Sequence, residues 1–575
     1  MSSRKPITQH FRDGRERHQP TAAIRFKRHK TWLEYSWNEY YRAGEAAGLG
    51  LLALGVKKGD RVAIIANTRW EWAALDFGIL GIGAVTVPIY QTNRPDEIEF
   101  VLKQARPKIL VIEDQTQWRK WETVAKQCPF VERVIAIQPF SEPPPTLLQW
   151  DDFMELGLTR YPEDHFASLC AQTELTDLAT IIFTSGTTGE PKGAMLTHEQ
   201  ILSEVEDLVR AFPISPADST LTFLPYAHVL GRVELWLHTY LGFTMTFAES
   251  IEKLRSNLEE ARPTVLIGVP RIFEKIYAGL MAQIEGHSWR KSLFTALTGH
   301  RDPLRRMLAD RLVYAKIRAG LGGRLRFTVS GGSALDANLA RFFHGAGVLI
   351  LEGYGLTETT AAVAVNTPQA FEFGTVGKPL KDVEIKLAED GEILVKSKKV
   401  MRGYYLDDES TKAATCGDYF RTGDIGEWTA KGFLRITDRK KDLIKTSGGK
   451  YVAPQKIEGL LKNDPMISHA LIHGDRKKYV VALLTLNEPY AKAMARERGW
   501  SFRDFRALTQ LPEVKEALRR SVAQVNSQLA SFETIKNFAI LPEDFSIERG
   551  ELTPSLKVKR KVCDERYRDI LEELY

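Results

Sequence analysis

The segment TIIFTSGTTGEPKGAML, residues 180–196, decides how the rest of the chain is read. Four strand formers run into a loop of Thr, Ser and Gly, followed by Pro, Lys and a second apolar run. Six consecutive small residues, Thr184, Ser185, Gly186, Thr187, Thr188 and Gly189, cannot build a core. They can gather backbone N–H groups and hydroxyls at one point, and Lys192 adds a point charge just beyond. The phosphate-loop pattern G-x-x-x-x-G-K-[ST] is not met: Pro191 stands five residues after Gly186, and Gly193 follows Lys192. The same parts still suit a phosphate. A lone Gly/Thr-rich stretch reads equally well as a surface turn. Here a strand precedes it and Thr197-x-x-Gln200, a capping-box helix start, follows, which makes it a fixed loop.

Working outward, strand and helix alternate. RVAIIAN (61–67), AVTVPIY (84–90) and KILVIED are short apolar runs. Between them WEWAALDFGIL reads as a helix, and Ile98, Val101, Leu102 and Ala105 trace one helical face that ends by Pro107. This rhythm predicts an α/β fold with largely parallel sheets. TVLIGVP (264–270), LRFTVSGG (325–332) and VLILEGYG (348–355) are further strands entering Gly-rich ends, where ligands sit in open α/β sheets. Near residue 375 the pattern changes to hairpins, one around Asp390-Gly391 and one in GEWTAKGFLRIT. After Asp438 a smaller α+β segment begins, with YVVALLTLN and a helix near 512–529. The expected division is a domain of residues 1–437 and a second of 438–575.

A chain of 575 residues, 43% hydrophobic and 26% charged, supports several folded domains. A net charge of +6, with no nucleic-acid-binding signature, excludes nucleic acid as a partner. Four scattered cysteines with no CxxC argue against a disulfide framework or zinc site and fit a reducing cytoplasm. No secretory h-region and no run of about 18 apolar residues is visible. The window AALDFGILGIGAVTVPIY, interrupted by Asp76, reads as a helix entering a buried strand. The segment 287–326 interleaves Arg301, Arg305, Arg306, Arg311, Arg318, Arg324 and Arg326 with apolar residues. It reads either as peripheral contact with the inner face of a membrane or as a solvated helix face.

Other polar clusters echo the first. LEGYGLTETT (351–360) puts Glu358 on a Gly/Thr loop after a strand, a candidate Mg²⁺ ligand opposite a phosphate loop. VSGGSAL (329–335) is a close-approach loop, and YFRTGDIGEW places Asp424 in a tight turn suited to ribose hydroxyls. ITDRKKDLIKTSGGK (436–450) and LTPSLKVKRK (552–561) are basic stretches that would be unremarkable alone.

Taken in order, FTSGTTGEPKGAMLTH, YGLTET, RTGDIG, DRKKDLIK and LTPSLKVKR resemble the adenylate-forming superfamily, over roughly residues 30–565. VPIYQTNRPDEIEFVLKQARPKILVIED, VPRIFEKIYAGL and LGGRLRFTVSGGSAL resemble its long-chain fatty-acid–CoA ligases. The resemblance implies a large N-terminal domain of doubly wound sheets with a small β subdomain, then a small mobile α+β domain. It implies the reaction of ATP, a fatty acid and coenzyme A through an acyl-adenylate, with Mg²⁺. By similarity, Thr184–Gly189 and Lys192 hold the triphosphate, and Thr184 and Glu358 sit at the metal. Ser333 and Ala334, with Glu352, Gly353, Tyr354 and Gly355, frame the adenine, Tyr354 stacking on it. Thr357 touches the α-phosphate; Asp424 and Arg439 hold the ribose. Asp438 is the hinge, and Lys445, Gly448 and Gly449 belong to a loop used in the second half-reaction. Lys557 bridges carboxylate and α-phosphate, and His228 stands at the acyl-pocket entrance.

Two positions depart from the family pattern. Leu556 precedes Lys557 where glycine is usual, which keeps Lys559 as an alternative, and Lys450 follows Gly449 where many relatives have Glu. VLGRVELWLHTYLGFTMTF (229–247) reads as a tunnel wall or as a plain buried helix and strand. Other readings of the whole are an acyl-AMP ligase serving a carrier protein, an aryl or medium-chain ligase, and a non-catalytic binding protein. The last conflicts with the joint presence of Glu358, Asp424 and Lys557. Chain-length preference and oligomeric state are not legible.

Overall fold

The computed structural model describes residues 4–18, 21–184, 190–285, 310, 314–553 and 557–575, with backbone alone for 278–285. The loop Ser185–Gly189, Leu556 and Arg301, Arg305, Arg306 and Arg311 therefore lie outside the described residues. Two described arginines of the basic segment are committed internally. Arg326 pairs with Asp218 at 2.6 Å and Arg318 with Asp310 at 2.8 Å.

Among the described residues the large domain is built on an eight-stranded sheet. Leu178–Thr184, Val85–Ile89, Arg61–Ile65, Ile109–Ile112, Arg133–Ala136 and Leu147–Gln149 run parallel in that spatial order. Lys192–Thr197 and Gly403–Tyr404 close one edge antiparallel. The central strands are buried on both faces, as continuous Val/Ile runs require. A five-stranded sheet begins with Val265–Gly268, Phe327–Ser330 and Ile350–Leu356 in parallel. A four-stranded sheet combines Ser219–Thr222, Thr244–Phe247, Ala22–Arg28 and Thr31–Ser36.

The expected helical face holds: Ile98, Val101, Leu102 and Ala105 are the buried residues of Pro95–Ala105. The apolar window is a helix, Trp70–Gly81, feeding Val85–Ile89. It packs backbone to backbone on Trp37–Ala53, because a Cβ on Gly78 would lie 2.7 Å from the Gly44 carbonyl oxygen. Asp76, which broke that window, is fully buried and accepts from Arg232 Nη2 at 2.9 Å through both oxygens. Arg232 in turn lies over the rings of Trp72 and Trp236.

Both expected hairpins form: Val383–Leu387 with Glu392–Ser397, and Tyr419–Trp428 with Leu434–Arg439. Asp438 stands near the end of the last of these strands, opposite Ile425. Beyond it come a small hairpin, Ile444–Lys445 with Tyr451–Val452, and the sheet Ile467–His473, Val480–Leu486 and Ile535–Ile540. The expected late helix spans Pro512–Asn526. This part of the chain has its own apolar cores, separate from those of the large domain. Among the described residues no helix is long and apolar enough to cross a membrane.

Candidate functional site

A cavity of about 3030 Å³ opens where the strand ends of the large domain face the C-terminal part of the chain. Its wall includes Thr184, Lys192, His228, Ser333, Ala334, Glu352, Gly353, Tyr354, Gly355, Thr357, Glu358, Asp424, Asp438, Arg439 and Lys557. Lys445, Gly448 and Gly449 are not part of that wall; they belong to the small hairpin beyond Asp438. The buried helix Val229–Leu241 and the strand Thr244–Phe247 contribute only Val229, Leu230 and Phe247 to it, so most of 229–247 is plain core.

At one end, Thr184 and Lys192 are paired across antiparallel strands, and Thr184 Oγ1 donates to the Lys192 carbonyl at 3.3 Å. The Lys192 ammonium donates to Ser410 Oγ at 2.6 Å and lies 5.3 Å from the centre of the Tyr404 ring. Tyr404 also donates its hydroxyl to Glu358 Oε1 at 2.9 Å. This fixes one carboxylate oxygen and leaves the other without a protein partner among the described residues. No group of three or more His, Cys, Asp or Glu able to hold a metal converges among the described residues. One carboxylate oxygen and one hydroxyl are donors of the kind that fit a magnesium ion, which would take water and phosphate oxygens as its remaining ligands.

Glu358 rides on a turn, Thr357–Thr359, between Ile350–Leu356 and Ala361–Val365. Thr360 and Ala361 then adopt left-handed backbone, φ 54° and 81°. Such conformations cost about 1–3 kcal/mol each for non-glycine residues and persist only where the surroundings impose them. Gly355 makes the turn possible, since a Cβ there would lie 1.4 Å from the Ala361 carbonyl oxygen.

At the other end, Asp424 is 3% exposed. Its Oδ2 accepts from the Tyr354 hydroxyl at 2.7 Å and its Oδ1 pairs with Arg439 Nε at 2.9 Å. The antiparallel register sets Asp424 directly opposite Arg439. Glu352 is buried, and burial pushes its carboxyl up to about 7. It accepts from the Leu335 N–H at 3.0 Å and so fastens the Ser333–Ala334 loop to the strand carrying Tyr354. His228 caps the helix Val229–Leu241, its Nδ1 accepting from the Leu230 N–H at 3.1 Å. That bond assigns the ring proton to Nε2. Burial, with Lys557 nearby, lowers its pKa to about 4, so the ring is neutral.

Lys557 reaches this cavity from the C-terminal part. Its backbone is held by Thr553, through Lys557 N–H to Thr553 Oγ1 at 3.0 Å and Thr553 N–H to the Lys557 carbonyl at 2.8 Å. Burial, then Arg439, pulls its pKa down to about 8, while Asp424 and Glu358 act in the opposite sense. The alternative lysine points elsewhere: Lys559 Nζ pairs with Glu97 at 3.1 Å. Two further polar contacts join the domains, Arg271 to the Ser468 carbonyl and hydroxyl at 3.1 Å and Asn463 to Asp336 at 3.0 Å. Sequence reasoning missed Tyr404, and it missed Glu204 and Lys399, which grip the far side of the Glu358 turn. None lies in a recognisable local motif, and all act through contacts distant in sequence.

Comparison with known proteins supplies the family and the fold. A family model described as AMP-binding enzyme matches residues 11–405, and one described as AMP-binding enzyme C-terminal domain matches 441–575. The long-chain-fatty-acid–CoA ligase FadD15 of Mycobacterium bovis is 37% identical, over 95% of this chain and 92% of its own. The peroxisomal long chain acyl-CoA synthetase 7 of Arabidopsis thaliana is 31% identical, over 94% of this chain and 82% of its own. Among solved structures, o-succinylbenzoate coenzyme A synthetase from Bacillus subtilis, in complex with ATP and magnesium, superposes with a TM-score of 0.70. It is 20% identical and covers 97% of this chain and 99% of its own.

Proposed function

The chain belongs to the AMP-binding enzyme family, and from that premise we propose that it is a long-chain-fatty-acid–CoA ligase. It converts ATP, a fatty acid and coenzyme A into acyl-CoA, AMP and diphosphate through an acyl-adenylate. The observation that carries the reading at this site is the half-buried Lys557, brought from the C-terminal part into the same cavity wall as Glu358, Asp424 and His228.

In the first half-reaction a carboxylate oxygen of the fatty acid attacks the α-phosphorus of ATP. An acyl–O–P bond forms, the bond to the β-phosphate oxygen breaks, and diphosphate leaves. Thr184, the loop 185–189 and Lys192 take the triphosphate, Thr357 the α-phosphate, and Glu358 with Thr184 the magnesium. Magnesium, when bound, neutralises charge on the phosphate oxygens. Ser333, Ala334 and Glu352–Gly355 flank the adenine, and the Asp424–Arg439 pair receives the ribose hydroxyls. Both reactants are anions, so the barrier is largely electrostatic. The Lys557 ammonium, between carboxylate and α-phosphate, offsets charge as it concentrates in the transition state. Neutral His228 can donate from Nε2 at the acyl side without adding charge.

In the second half-reaction the coenzyme A thiol attacks the acyl carbonyl and AMP leaves. We assign this step to a second orientation of the C-terminal domain, swung about Asp438, that brings Lys445, Gly448 and Gly449 to the cavity. The test is mass spectrometry of products from enzyme, Mg·ATP and palmitate, with and without coenzyme A. Palmitoyl-CoA and AMP are expected in the complete mixture. Palmitoyl-AMP in both tubes and thioester in neither would instead make the chain an adenylate-only ligase.

A further inference from the structure

The turn that carries Thr357 and Glu358 is gripped from behind by charges that do not reach the cavity. Ala362, next to the two left-handed residues, is clasped at both of its backbone polar groups. Its N–H donates to Glu204 Oε1 at 2.8 Å, and its carbonyl accepts from Lys399 Nζ at 2.5 Å. The clasp is closed on itself, because Lys399 Nζ also pairs with Glu204 Oε2 at 2.9 Å. Asp207 takes the same ammonium at 3.1 Å and is held in turn by Arg210 at 2.6 Å. The Lys399 and Glu204 side chains are 1% and 0% exposed. The Lys399 segment grips the turn twice more: Thr360 Oγ1 donates to the Lys399 carbonyl at 2.6 Å, and the Met401 N–H donates to the Glu358 carbonyl at 2.7 Å. Apolar side chains could fill the same space without the desolvation cost of two buried charges. An ion pair that holds the two peptide units flanking Ala362, just after the left-handed residues, does what apolar packing does not, which is to fix the orientation of both.

We propose that Glu204 and Lys399 are positioning residues for the magnesium–ATP end of the site, holding the turn so that the Glu358 carboxylate meets the metal. The inference rests on the metal role given to Glu358 above.

The experiment is calorimetric binding of α,β-methylene-ATP, which cannot be cleaved at the reacting bond, across a range of Mg²⁺ concentrations. It is run on the full-length wild-type protein and on Glu204→Gln, Lys399→Met and Glu358→Gln. Wild type should bind the nucleotide more tightly as Mg²⁺ rises. The Glu204→Gln and Lys399→Met variants should need at least tenfold more Mg²⁺ for half of that gain, with the fatty-acid KM within about twofold of wild type. Where a single variant does not fold, the double variant Glu204→Met with Lys399→Met replaces the pair by apolar groups of similar length and removes the clasp without leaving a lone charge. It should show the same raised Mg²⁺ requirement. An unchanged requirement in folded clasp variants, with Glu358→Gln shifted, overturns the positioning role and leaves the metal role standing. An unchanged requirement in Glu358→Gln overturns the metal role, and the clasp inference with it.

Discussion

At the scale of single residues, two lysines two positions apart carry opposite expectations. Lys557 lines the cavity wall, and Lys559, equally half-buried, is spent on Glu97 at the domain seam. Lys557→Ala should lower fatty-acid-dependent ATP–diphosphate exchange roughly 10²–10³-fold, the cost of losing one transition-state charge contact. The same variant should still convert supplied acyl-AMP to acyl-CoA, because the second half-reaction is assigned to another face of the C-terminal domain. Inactivity in both assays would count against that separation. Lys559→Ala removes only a partly exposed ion pair worth about 1 kcal/mol or less, so exchange should stay within a few-fold of wild type. The depressed Lys557 pKa adds a pH prediction. Its ammonium is the working form, and in the free enzyme it holds its proton only up to about 8. Adenylation kcat/KM should therefore be full below that pH and fall as pH rises through it. A profile flat to pH 10 would exclude Lys557 as the charge that matters.

At the scale of elements, the hairpin Ile350–Leu356 with Ala361–Val365 carries both Tyr354 and the Glu358 turn. Gly355 is its tightest point. A methyl group there would meet the Ala361 carbonyl, so Gly355→Ala must push the two strands apart. Overpacking of this kind costs about 1–3 kcal/mol. The variant should melt lower and bind ATP more weakly by calorimetry; unchanged nucleotide affinity would show that the hairpin is not part of that site. Elements such as this were readable in advance because strands ending in Gly, Ser and Thr form loops at a sheet's carboxyl edge, where the cavity lies. What was not readable depends on side chains meeting across the fold. Tyr404 is 46 positions from Glu358, and Lys399 is 195 from Glu204. No local period links them. Sequence favoured Lys557 but kept Lys559 as an alternative, and the contacts that distinguish them, the cavity wall for one and Glu97 for the other, are made far along the chain. The acyl end stayed ambiguous for a similar reason, because apolar residues look alike whether they line a tunnel or fill a core.

At the scale of the whole molecule, the helix Pro270–Glu285 packs on Glu488–Glu497 across the domains, and among the described residues Arg271 meets Ser468, Asn463 meets Asp336 and Lys559 meets Glu97. Relative motion of two domains in one chain is the default unless their interface is large and hydrophobic. The structure shows the orientation that places Lys557 in the cavity and leaves Lys445, Gly448 and Gly449 outside its wall. The second orientation must be reached by turning a few backbone bonds, and Asp438 is well placed, at the end of the last strand before the C-terminal cores. Its carboxyl is buried, with burial raising its pKa to about 7, and its Oδ2 is without a partner among the described residues. Such a buried, incompletely satisfied group lowers the cost of leaving this conformation. Proline at 438 would fix φ near −65° and restrict the turn. Asp438→Pro should therefore separate the half-reactions. Exchange of diphosphate into ATP should persist if proline keeps the orientation seen here, while thioester formation from supplied acyl-AMP should fall by at least tenfold. Equal losses in both assays, in a variant whose melting temperature matches wild type, would mean that the chain does not swing about this residue.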